Sequence, residues 1–124
     1  MQKLIEMSTY CERVGLLLRE ISAPARIKIL LLIGRDEVCV CHLEANLGMK
    51  QAYLSQHLMA LRKAGILIAT RDGRFMHYRL ANTEILDMIN NAARILNLET
   101  QQGGTGFFNR DCSCPQCKEK INRS

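Results

Sequence analysis

Between Val38 and Leu80 the sequence changes its hydrophobic period, and that change limits the folds open to it. A short run at helical spacing, about Val38 to Asn46, stops at Leu47-Gly48, where glycine can take the left-handed turn that ends a helix. A second helical run, Lys50 to Ala64, carries Leu54, Leu58 and Leu61 on its inner face and stops at Gly65. Ile66 to Thr70 and Arg74 to Leu80 then read as two strands around Asp72-Gly73, a dipeptide suited to a tight hairpin. Two helices across a short glycine turn, followed by a hairpin, give the order of a winged helix-turn-helix.

The flanks extend that unit. From Leu4 to Ile21, Met7, Cys11, Val14, Leu17, Leu18 and Ile21 recur at spacings of three and four, which predicts a first helix. Pro24 suits the first turn of a second helix, which runs to about Ile33 with Ile27, Leu30 and Leu31 among its apolar positions. Asn82 or Thr83 can cap a last helix that continues through about Leu98, apolar at Leu86, Ile89, Ala93 and Leu96. The expected fold is mainly α, with a two-stranded antiparallel wing. Its first and last helices would expose apolar stripes on a monomer, so they are expected to form a homodimer interface. Residues 1–98 form the expected DNA-binding and dimerisation domain, and residues 99–124 a flexible, Gly-containing, Cys-rich tail.

Charge narrows the partner. With 17 Lys+Arg against 12 Asp+Glu the chain carries +5, a balance that fits a polyanion. Lys50, Gln51, Tyr53, Ser55, Gln56, His57 and Arg62 lie on the second helix of the helix-turn-helix, and Arg71, Arg74 and Arg79 on the wing. Glutamine can pair with adenine edges in a major groove, while cations reach phosphates, so the expected partner is double-stranded operator DNA. His57 is open to two readings, a base contact or a place at the edge of the core. No apolar run approaches the ~18–20 residues that span a bilayer. Glu6 comes too early for the apolar part of a signal peptide, so a cytoplasmic protein without a membrane partner is expected. No nucleophile–base pair or phosphate loop stands out, and an enzyme is the least favoured reading.

Six cysteines add a second chemistry. In a cytosolic protein they are expected to be reduced, which favours metal binding or redox sensing over a disulfide framework. Cys39 and Cys41 form a Cys-x-Cys pair, and Cys112, Cys114 and Cys117 cluster within six residues of the tail. Thiolates are soft donors and select thiophilic ions. In a regular helix, residues i and i+2 point about 200° apart, so Cys39 and Cys41 can share an ion only where the helix begins or is distorted. Ligation there would strain the segment feeding the DNA-reading helix. Oxidation of the pair to a redox or persulfide switch is the alternative. Metal buffering and iron–sulfur ligation by the tail are weaker ones.

Val38-Cys39-Val40-Cys41-His42-Leu43 resembles the metal box of the ArsR/SmtB family of metal-responsive repressors. Ser22 to Leu30, Gln51 to Leu58, Leu61 to Leu67 and Arg71 to Arg74 are similar to the same family, so the resemblance covers about residues 10–98. It implies a homodimeric winged-helix repressor that leaves its operator when an inducer binds, with Gln51, Ser55 and His57 in the reading helix. It also implies a thiophilic inducer: arsenite or antimonite first, cadmium or lead next. Arsenic-responsive relatives with all ligands in the box have a third Cys where this chain has Glu44, so the box is one sulfur short. In related cadmium/lead sensors an N-terminal Cys completes the partner's box, which makes Cys11 a candidate, beside the tail cysteines. Zinc-sensing members use Asp, His and Glu on the last helix, where this chain has Glu84, Asp87 and Glu99 but no His. The family's usual Ser or Thr at the start of the reading helix is replaced by Met49-Lys50, a lost cap worth about 0.5–2 kcal/mol.

Overall fold

The computed structural model describes residues 2–101. Five helices and three strands follow in the order α1 (Gln2–Ile21), α2 (Pro24–Ile33), β1 (Val38–Cys39), α3 (Val40–Leu47), α4 (Gln51–Lys63), β2 (Leu67–Asp72), β3 (Phe75–Leu80) and α5 (Glu84–Ile95). Pro24 opens α2, where its missing N–H costs no helical bond. Gly48 ends α3 in the left-handed region at φ 62°, its N–H donating to the Glu44 carbonyl, and so turns the chain into α4. Lys50 caps α4 in extended conformation without a side-chain cap bond, as the missing Ser or Thr implies.

The wing pairs Leu67 with Leu80 through Asp72 with Phe75, around Gly73 at φ 62°. The sheet has three strands rather than the two expected, in the order β1-β3-β2. Val38 pairs with Tyr78 and Cys39 with His77, so α3 starts at Val40 and not at Val38. The correction has a tertiary cause. A two-residue strand has no periodicity of its own, and only the free edge of β3 and the burial of Val38 hold it extended. At the other end, α5 stops at Ile95 instead of about Leu98. Asn97 takes a positive φ of 59°, and the Leu98 N–H reaches back to the Ala93 carbonyl at 2.9 Å, a left-handed helix stop. Asn82, not Thr83, supplies the side-chain acceptor at its start, for the Glu84 N–H.

Ile29, Leu30, Ile33, Leu43, Leu54, Leu58 and Leu61 form the centre of the core. Each such side chain contributes about 1.5–3 kcal/mol by leaving water. The three leucines of α4 hold its inner face to that centre. Outside the core, Met7, Tyr10, Val14, Leu17 and Leu18 of α1 are exposed, as are Ile95, Leu96 and Leu98 at the end of α5. Between α1, α2 and α5 an apolar groove encloses about 630 Å³, with Leu18, Ile27, Leu31, Ile89 and Leu96 among its lining.

Candidate metal centre and nucleic-acid interface

Cys39 is the last residue of β1 and the N-cap of α3, with φ −84° and ψ 162°. An N-cap side chain points at the second and third residues of its helix, which here are Cys41 and His42. Leaving the helical path at Cys39 therefore removes the angular separation that a continuous helix would impose on the pair. The two Cα atoms are 5.4 Å apart, and the two sulfurs are joined in a disulfide. That corrects the expectation of reduced thiols at this pair; the extended Cys39 brings the sulfurs within bonding reach.

His42 completes the cluster. Its Nδ1 lies 3.1 Å from Cys39 Sγ, and the donor atoms of Cys39, Cys41 and His42 all fall within 4.8 Å of one another. Cys39 and His42 are buried, and Cys41 is half-buried. Once the sulfurs are reduced, two thiolates and an imidazole suit a thiophilic or borderline ion. His42 was missed as a donor in the sequence. The available signal was its place three residues after Cys39, which faces the cap only if the helix starts between them. Glu44 stands outside the cluster. Cys11 is exposed on α1 with a free thiol and also lies outside it. Cys112, Cys114 and Cys117 lie beyond the described residues.

Across the strand pair, Cys39 faces His77, whose ring is buried and whose Nδ1 is 3.8 Å from Glu37 Oε1. The cluster thus connects in two directions. Through α3 and Gly48 it leads into α4, and through β3 it is hydrogen-bonded to the wing.

The expected DNA-reading residues form an exposed surface. Gln51, Tyr53, Ser55, Gln56 and Arg62 project from α4, Lys50 from its cap, and Arg71, Arg74 and Arg79 from the wing, all exposed. The Arg74 guanidinium lies 5.9 Å from the Phe75 ring centre, which supports it at the tip. His57 is the exception. It is half-buried, meets the Tyr53 ring edge-on at 4.5 Å, and accepts a hydrogen bond at Nδ1 from Arg26 Nε at 3.0 Å. Burial first, and the Arg26 charge second, hold its pKa below the ordinary histidine value.

Residues 23–69 match the family described as "Bacterial regulatory protein, arsR family". The reduced HlyU protein of Vibrio cholerae N16961 superposes with a TM-score of 0.66 at 30% identity, over 73% of this chain and 95% of that one. The chain belongs to the ArsR family. It is 37% identical over 78 residues to the HTH-type transcriptional repressor SmtB of Mycobacterium tuberculosis, covering 63% of this chain and 58% of that protein. It is 36% identical over 66 residues to the arsenical resistance operon repressor of Escherichia coli K12, covering 52% and 56%. It therefore spans somewhat over half the length of these two curated relatives. Both are transcriptional regulators, and neither is an enzyme by name. Among the described residues, no helix is long and apolar enough to cross a membrane.

Proposed function

We propose that this ArsR-family member is a cytoplasmic, homodimeric transcriptional repressor that releases its operator when a thiophilic metal or metalloid binds the reduced Cys39, Cys41 and His42. One observation carries the reading: three soft or borderline donors converge where the chain passes from the wing's sheet into the helix-turn-helix. Drawing the sulfurs and the imidazole onto one centre fixes the start of α3, and any shift there is passed through Gly48 to α4 and through β3 to the wing arginines. The exposed stripes of α1 and α5 and the groove beside them supply the dimer face. The Escherichia coli relative, named for arsenical resistance, supports arsenite or antimonite as inducer. The imidazole donor keeps cadmium and lead in play, since it supplies the third ligand that Glu44 does not. Cys11 of the partner subunit and the tail cysteines are further donors to such a site.

The bonded sulfurs favour a second reading of the same fold, a thiol switch. There the two thiols give up two protons and two electrons to an oxidant such as polysulfide, and the closed ring replaces the ion as the lever.

One comparison separates the two. Reduced dimer on operator DNA, without oxygen or competing thiols, receives arsenite, cadmium or polysulfide, and release is followed by fluorescence anisotropy. Greater release by the ions, with one ion bound per box, supports the sensor of metals and metalloids. Release by polysulfide alone moves the assignment to the switch, and no preference for any DNA sequence removes both.

A further inference from the structure

One side chain joins the end of α1, the start of α2 and the middle of α4. Arg26 donates from Nη1 to the Glu20 backbone carbonyl at 2.9 Å and to the Glu20 carboxylate at 2.8 Å, and from Nε to His57 Nδ1 at 3.0 Å. Its side chain is 20% exposed and that of Glu20 32%, so the contacts are only partly screened by water. The Glu20 carbonyl belongs to the last turn of α1, where carbonyls lack helical partners and a cation complements the helix end. The guanidinium is planar and rigid, so once Nη1 is seated between the Glu20 carbonyl and carboxylate, the swing of its Nε–H is restricted.

The bond to His57 adds a directional contact to the packing of α4. Leu54, Leu58 and Leu61 fix how deeply the helix sits, but apolar packing is non-directional. The bond comes from α2 through an arginine that is itself held by Glu20 of α1, a helix with an exposed apolar stripe. We infer that Arg26 is a positioning residue for DNA reading, setting the orientation of α4 through an acceptor bond at a neutral His57 that protonation breaks. This rests on the reading of α4 as the DNA-contacting helix.

To accept at Nδ1, the His57 ring must be neutral with its proton on Nε2. The groups facing it are Arg26 from α2, Glu20 of α1 behind that arginine, and Tyr53 on α4 itself. Protonation deletes the acceptor and sets a second cation against Arg26. Because the folded pKa lies below the unfolded one of about 6.5, the contribution is complete above about pH 6.5 and is lost as pH falls through the folded value. Non-specific DNA binding runs the other way, strengthening in acid as the protein gains charge.

The test uses the full reduced chain, without added metal, on a duplex that the wild type selects from a random pool, from about pH 8 down to the lowest pH at which the wild type stays folded. Wild type should lose selectivity for that duplex over bulk DNA as pH falls. His57→Asn, whose amide oxygen stands in for Nδ1 and does not titrate, should bind at neutral pH and keep its selectivity in acid. Arg26→Ala should lose roughly tenfold in specific affinity at neutral pH, the order expected for a charged hydrogen bond, with its salt dependence unchanged. Should Arg26→Ala fold poorly, His57→Phe removes the acceptor alone and should show the same loss. Equal pH profiles for wild type and His57→Asn overturn the inference while leaving the repressor reading intact. So does wild-type affinity in Arg26→Ala or in His57→Phe. If wild type selects no sequence at all, both readings fall.

Discussion

The cysteine box and the proposed DNA face sit on one stretch of backbone but are built in opposite ways. At the box, Cys39 and His42 are buried and engage each other at 3.1 Å, with the sulfur of Cys41 bonded to that of Cys39. On α4 and the wing, Gln51, Ser55, Arg62, Arg71 and Arg74 stand in solvent. Buried donors give up their contacts only to a partner that replaces them, so the box suits selective ligation. Exposed cations gain by releasing counterions from DNA, so the face suits reversible, salt-sensitive binding. The lesson is a division of labour: response and affinity should be separable by substitution.

The largest expected effect is on response. Cys39→Ser with Cys41→Ser should leave operator binding near the wild-type level and abolish release by arsenite or cadmium, read as anisotropy during titration. A chain truncated after Thr100 should keep some response, because Cys39, Cys41 and His42 remain together, with weaker affinity for the ion if the tail donates a ligand. Normal release by the double variant, with none from the truncated chain, would put the sensor in the tail and end the comparison.

Next comes sequence reading. Gln51→Ala should relax discrimination at one base pair, by about 1–3 kcal/mol if the amide makes a bidentate contact, measured on a panel of single-substituted operators. Arg74→Ala should weaken binding to every sequence alike and lower the salt slope by about one. An Arg74→Ala protein that kept its salt slope but lost discrimination would reverse the roles assigned to helix and wing.

The difference between the regions also explains what could be read in advance. Leu54, Leu58 and Leu61 at helical spacing, Gly48 between two helices, and Asp72-Gly73 between two strands are local signals, and the structure follows them. Strand β1 is not local, since Val38 and Cys39 are extended only because β3 offers an edge to pair with. His42 became visible as a donor only with that strand, because a helix starting at Val38 would not place Cys39 at the cap. Likewise His57 could be read either way from sequence, as the residue that fixes its ring, Arg26, lies 31 positions away.

The smallest expected effect tests the joint between the two regions. Lys50 occupies the N-cap of α4 in extended conformation, at φ −62° and ψ 142°, with no side-chain bond to the first turn. A serine can adopt that backbone and accept from an N–H of the first turn, which is otherwise left to water. Lys50→Ser should therefore raise stability by about 0.5–2 kcal/mol, seen as a higher urea midpoint at unchanged slope. If the lysine also meets a phosphate, the same change should lower the salt slope of operator binding by about one. Gain in stability with loss in salt dependence would show that this position gave up a helix cap for contact with DNA. A higher midpoint with an unaltered salt slope would confine Lys50 to the helix end and leave affinity to the wing and the exposed side chains of α4.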